Sequence, residues 1–288
     1  MSAYEDRAWT STDGLALHYR DYRAEGAGET RVPVVCLHGL TRNARDFEEL
    51  AEHIAPQRRV LCPEMRGRGD SEYTKDIATY NPQQYVEDLM VLLDQEGIDR
   101  FVAIGTSLGG LMTLSLAATT PERIAGAVIN DIGPRIETSG LQRIKDYVGQ
   151  GRNCPTWVHA ARGLEEVQSE AYPGRDLNFW IGMAKRLMTV SGNGRIVYDY
   201  DMKIAEPFMA FEAETMPDLW PAAEALSGKP VLVVRGARSD LFSPSTMREM
   251  IERIRGAEGL TLPNVGHAPL LTEPECIDAI DRLLAAVD

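Results

Sequence analysis

Hydrophobic residues in this chain fall in short, dense runs. "VPVVCLHG" (32–39), "RVLCPEMRG" (59–67), "FVAIGTS" (101–107), "IAGAVIND" (124–131) and "KPVLVVRGARSD" (229–240) each pack apolar, often β-branched positions together and then break on glycine or a polar residue. A strand with one wet face alternates, whereas a strand buried on both faces can stay apolar, so these runs predict a parallel sheet covered by helices. "GLALHYR" (14–20) does alternate and predicts a half-buried strand. Helical periodicity lies between the runs, at "DFEELAEHI" (46–54), "NPQQYVEDLMVLLDQEG" (81–97), "GGLMTLSLAATTP" (109–121), "SPSTMREMIERIRG" (243–256) and the closing "EPECIDAIDRLLAAV". Pro82 near the start and Gly97 at the end of the second are good boundary chemistry. Strand and helix in alternation predict an α/β fold with right-handed crossovers.

One stretch breaks this rhythm. From Pro134 to about Leu226 no comparable buried-strand run occurs, and the chain offers "GLQRIKDYVGQ", "TWVHAARGLEEVQSEA", "NFWIGMAKRLM" and "AEPFMAFEAE". This predicts a mostly helical insertion over 134–226, set into a core formed by 1–133 and 227–288. "RIVYDY" within it fits a short strand or an extended link. Trp157, Trp180 and Trp220 lie in the insertion and are expected to form its own small core, with ligand contact as the alternative.

Composition narrows the function. The 288 residues include 30 basic and 43 acidic side chains, a formal charge of −13, and no basic stripe interleaved with aromatics. Phosphate backbones need concentrated positive charge, so a nucleic-acid partner is not expected. The N-terminal "MSAYEDRAWTSTDG" has no apolar core of a secretory signal, and no apolar run approaches the length of a membrane span. Cys36, Cys62, Cys154 and Cys276 are widely separated and lack metal-binding spacing, so free thiols and a cytoplasmic location are expected.

The candidate chemistry starts at Ser107 in "GTSLGG". It follows an apolar strand run and precedes a helix-compatible segment, with Gly105 and Gly109 on either side. Strand, sharp turn and helix hold a serine hydroxyl out where it can react, and the helix N-terminus favours developing negative charge. A serine there still needs a base. Of the five histidines, His267 sits on a glycine-containing loop before the last helix, and His38 ends a buried strand. Either fits a proton carrier, and the loop position favours His267. Asp131 and Asp240 each stand just beyond a buried strand, so position alone leaves the acid undecided between them.

"LHG" (37–39), "RGRGDS" (66–71), "GTSLGG" (105–110), "RGARSD" (235–240) and "VGHAPLLTEP" (265–274), in this order and spacing, make the chain resemble the α/β-hydrolase fold family over nearly its whole length. The resemblance implies a mostly parallel sheet flanked by helices, with the insertion as a helical cap. It assigns Ser107 as nucleophile, Asp240 as acid and His267 as base, in the chain order this fold uses. The backbone N–H groups of Leu40 and Leu108 would form the oxyanion hole, leaving His38 to fix the loop that carries Leu40. Glu64 departs from the family's Asp-x-Arg-Gly pattern and is expected to alter how that loop is pinned.

A serine at the elbow sets the chain apart from relatives with a nucleophilic aspartate, the haloalkane dehalogenases and epoxide hydrolases. The implied activity is two-step hydrolysis of a small carboxylic ester without metal or organic cofactor. A lactonase or a carbon–carbon bond hydrolase with the same triad is the alternative; the glycine/proline-rich loop that such carbon–carbon hydrolases carry after "HG" is absent here. A small-ligand binding protein on the same fold is the non-enzyme alternative, for which a damaged triad is expected. Arg42 and Asn43 are expected near the pocket mouth, and Trp157 and Trp180 are carried as possible substrate contacts. Arg42 would favour half-esters of dicarboxylic acids, unless it pairs with Asp46 four positions on. Nothing in the sequence indicates a homo-oligomer.

Overall fold

The computed structural model describes residues 3–23, 30–212 and 216–287. Its main sheet contains β1 (Glu5–Thr10), β2 (Ala16–Tyr22), β3 (Val34–Leu37), β4 (Val60–Pro63), β5 (Phe101–Thr106), β6 (Ile124–Asn130), β9 (Val231–Gly236) and β10 (Ala257–Leu262). The spatial order is β1-β2-β4-β3-β5-β6-β9-β10. The β1/β2 and β2/β4 pairs are antiparallel, and the remaining pairs are parallel. The strands that read as continuous apolar runs are the buried ones: every residue of β3, β4, β6 and β9 is buried.

Helices α1 (Glu48–Ile54), α2 (Pro82–Gln95), α3 (Leu108–Thr119), α9 (Pro244–Arg253) and α10 (Pro274–Ala285) cover the two faces. Their ends follow the sequence. The Asn81 side chain accepts from Gln84 N–H ahead of Pro82, Ser243 caps α9 ahead of Pro244, and Gly97 leaves α2 at φ 64°. None of the helices among the described residues is long and apolar enough to cross a membrane. All four cysteines are free thiols.

Sheet order decides what can meet. In a parallel sheet the carboxyl ends of adjacent strands share one edge. Along that edge the chain leaves β3 at His38, β5 at Ser107, β6 at Asp131 and β9 at Ala237, so four loops distant in sequence become neighbours.

The insertion between β6 and β9 rises over this edge. It contains α4 (Thr138–Tyr147), α5 (Trp157–Gln168), α6 (Leu177–Leu187), a small antiparallel hairpin of β7 (Met188–Val190) and β8 (Ile196–Tyr198), and the short α7 (Ala205–Met209) and α8 (Trp220–Glu224). Thus "RIVYDY" does contribute a strand, paired within the insertion. Trp180 is buried there against Tyr172 and Phe179. Trp220 departs from expectation: it packs into the cluster beneath α3, its ring covered by the Arg135 and Arg253 guanidiniums. Several contacts fasten the insertion to the sheet edge. Glu137 N–H donates to Leu241 O at 2.9 Å, Ser139 to Asp240 O at 3.2 Å, and Arg45 reaches Asp199 at 2.6 Å. Gly140 lies against the Asp240–Leu241 backbone so closely that any Cβ there would collide.

Candidate active site

The turn from β5 into α3 is tight because two glycines permit it. A Cβ on Gly105 would collide with the Gly109 carbonyl, and one on Gly109 with the Leu37 carbonyl of β3. Ser107 takes φ 52°, a left-handed backbone that non-glycine residues seldom adopt, and this throws its side chain out over the sheet edge. Ser107 N–H is tied to Asn130 O at 3.0 Å, linking the turn to the end of β6.

His267 comes from the loop after β10 and lies against this serine, with Nε2 2.9 Å from Ser107 Oγ. Its Nδ1 is 2.8 Å from Asp131 Oδ2. A carboxylate only accepts, so Nδ1 carries the proton and Nε2 presents its lone pair to the serine hydroxyl. The loop is held from both sides. Asn130 Nδ2 donates to Pro269 O at 2.9 Å, and from the insertion Tyr172 OH donates to Ala268 O at 2.6 Å.

The carboxylate beside His267 is Asp131, whereas the resemblance pointed to Asp240. Asp131, fully buried, receives Gly236 N–H on Oδ1 at 2.8 Å and Ser239 OH on Oδ2 at 2.6 Å, beside His267. Asp240 makes no hydrogen bond to His267. Its carboxylate is turned to Arg143 of α4, meeting Nε and Nη2 at 2.5 and 2.8 Å. Burial works against its charge, but Arg143 outweighs burial and holds its pKa below the usual 3.8. The reason is local. Ser239 bends back to Asp131 while its own oxygen accepts from Leu241 and Phe242 N–H, and this turn directs the next side chain away from the histidine.

His38 and Glu64 build the loop between β3 and α1. His38, buried, donates from Nδ1 to Gly39 O at 2.7 Å and accepts Met65 N–H on Nε2 at 3.0 Å. Burial and the nearby Arg68 charge depress its pKa to about 4, so it is neutral near pH 7. Gly39 O also accepts from Arg42 N–H at 3.2 Å. With that carbonyl pinned, the N–H on the other side of the same trans peptide, that of Leu40, points the opposite way. Arg68 Nε fixes Leu40 O at 2.9 Å. The Leu108 N–H is the first of α3 and has no carbonyl a turn before it within the helix. Glu64, at the position that departs from the family pattern, accepts Ala44 N–H at 3.0 Å, Asp70 N–H at 2.7 Å and His18 Nδ1 at 2.9 Å. One longer carboxylate thereby joins three segments.

A cavity of about 90 Å³ opens over Ser107 and His267. Leu40 and Arg42 form one side, and Arg143, Tyr147, Tyr172, Tyr198 and Tyr200 of the insertion form the other. Arg42 lies on the wall as expected, but its Nε and Nη2 grip both oxygens of Asp46 at 2.5 and 2.6 Å. Asn43, Trp157 and Trp180 are not on the wall. Asn43 is buried, where it caps a short 3-10 turn and donates to Arg186 O, and Trp180 belongs to the insertion's own core. The four tyrosines and Arg143 went unnoticed in the sequence. Only the spacing of Arg143 and Tyr147, one helical turn apart, marks a shared polar face.

The family model of the alpha/beta hydrolase fold matches residues 32–274. The chain belongs to that family, on its esterase-like branch, and is a hydrolytic enzyme. It is 34% identical over 269 residues to the 3-hydroxybutyrate-oligomer hydrolase of Cupriavidus necator, covering 90% of each chain. It is 25% identical to the 2-(acetamidomethylene)succinate hydrolase of Mesorhizobium japonicum, over 88% of this chain and 86% of that one. Among solved structures, an alpha/beta hydrolase from Novosphingobium aromaticivorans aligns over 99% of both chains with a TM-score of 0.94 and 57% identity.

Proposed function

We propose that the protein hydrolyses a small carboxylic ester through an acyl-enzyme on Ser107. The observation that carries this reading is the continuous relay from Ser107 Oγ through His267, both lining the cavity, to buried Asp131, at 2.9 and 2.8 Å. In the first step Ser107 Oγ attacks the ester carbonyl while His267 Nε2 takes its proton. His267 returns that proton to the departing alcohol, and a water activated by the same nitrogen then releases the acid. Asp131 holds the tautomer and stabilises the imidazolium. The Leu40 and Leu108 amides receive the tetrahedral oxyanion, and each donor of this kind is worth about 2.7–4 kcal/mol in the transition state. The half-ester specificity expected of Arg42 loses its basis, because Asp46 occupies that guanidinium. The related hydrolases are named for a hydroxybutyrate oligomer and for a succinate derivative, both carboxylic acids, and this favours a short, acid-bearing substrate.

Hydrolysis of a chromogenic short-chain ester by the pure protein tests the reading. Turnover should be abolished by a serine-directed organophosphate and should fall by several orders of magnitude in Ser107→Ala. A Ser107→Ala protein with near-normal kcat would remove the serine from the mechanism.

A further inference from the structure

We infer that Arg143 is the carboxylate-reading group of the cavity, and that Asp240 occupies it until a substrate carboxylate takes its place. The inference rests on the ester-hydrolase reading for the site's use, but its geometry stands independently. Two arginines line the cavity. Arg42 is matched by Asp46, which lies on the same wall and holds it through both carboxylate oxygens. Arg143 also holds a carboxylate through both oxygens, but its partner Asp240 is off the wall, and both side chains are 34% exposed. Thus Arg143 already grips a carboxylate in the forked geometry, and it does so where water or a ligand can compete. Arg143 stands on α4 one helical turn before Tyr147, so the apolar Ile144 and Val148 beside them shape the same wall for a short chain between ester and acid.

An exchange of partners makes opposite predictions for the two members of the pair. Loss of Arg143 removes the reader, whereas neutralising Asp240 removes its competitor. A pair that merely fastens α4 to the sheet edge would be weakened equally from either side.

The experiment measures calorimetric binding of two amides to the Ser107→Ala protein: the mono-propylamide of succinic acid, with a free carboxylate, and the neutral N-methyl-N′-propyl diamide. The acid should bind about tenfold tighter than the diamide, the scale of one charge-assisted, bidentate contact in a half-exposed site. Adding Arg143→Gln should erase that preference, and adding Asp240→Asn should raise it severalfold. If Arg143→Gln does not fold, Arg143→Lys keeps the charge without the fork and should keep only part of the preference. A missing preference, its survival in Arg143→Gln, or a fall in Asp240→Asn would overturn the inference. Since neither amide is cleaved and the serine is gone, this outcome is independent of ester hydrolysis. Absence of turnover with every ester would instead count against the proposed function alone.

Discussion

Two aspartates stand just past neighbouring strands of one sheet, and their surroundings could hardly differ more. Asp131, after β6, is fully buried and accepts from a backbone amide, a serine hydroxyl and the histidine. Asp240, after β9, is half-exposed and faces an arginine of the insertion. The difference is one of convergence. A carboxylate that must orient an imidazole needs fixed donors on its other lone pairs, and only the β6 end, enclosed between β5 and β9, supplies them. The β9 end supplies its serine to that arrangement and sends its aspartate elsewhere.

The largest effect that could break this contrast lies in the acids themselves. Asp131→Asn should lower kcat on a neutral ester by about four orders of magnitude, the loss expected when a histidine is left in the wrong tautomer. Asp240→Asn should change kcat on the same ester only severalfold. Paired steady-state measurements on folded proteins decide between them, and the reverse ranking would restore Asp240 as the acid.

A smaller effect sharpens the contrast from the β9 side. Ser239→Ala removes one donor from Asp131 Oδ2, and a hydrogen bond to a charged group of about 1.5 kcal/mol corresponds to roughly tenfold in kcat. KM should stay nearly constant, and Ser239→Thr, which keeps the hydroxyl, should recover most of the rate. A change confined to KM or to melting temperature would make Ser239 a residue of the fold alone.

The smallest effect concerns stability. The half-exposed Asp240–Arg143 pair should contribute at most about 1 kcal/mol, because water screens it. Since the folded pKa of Asp240 lies below its usual 3.8, this contribution is present above that value and fades as pH falls through the folded pKa. Denaturant titrations of the parent and Asp240→Asn at pH 7 and at strongly acidic pH should therefore converge at the acidic end. A gap that widens on acidification would contradict the pairing.

What could be read from the sequence follows the same division between local and converging features. The buried strands were legible because burial on both faces leaves an uninterrupted apolar run, and α2 because Pro82 and Gly97 mark its ends. β1, "EDRAWT", gave no such signal: it is a sheet-edge strand whose residues are mostly exposed. The sharp turn at Ser107 and the loop that carries His267 were legible, each encoded within a few residues. The carboxylate that meets His267 was not, since it depends on how Ser239 turns in space; the resemblance at "RGARSD" pointed to Asp240, whose carboxylate faces Arg143. Trp180 lies in the insertion's own core, the first of the two readings its position allowed. A large aromatic in an insertion carries no mark of whether it faces a cavity or, as here, Tyr172 and Phe179.

The backbone of the site bears a further consequence. Ser107 and Asp131 both occupy left-handed conformations, φ 52° and 55°, which side chains disfavour and glycine accepts freely. Two members of the relay therefore stand where a chain selected for durability alone would drift toward glycine. The two side chains of the proposed relay are held against the conformational preference of their own backbone, each at the carboxyl end of a buried strand.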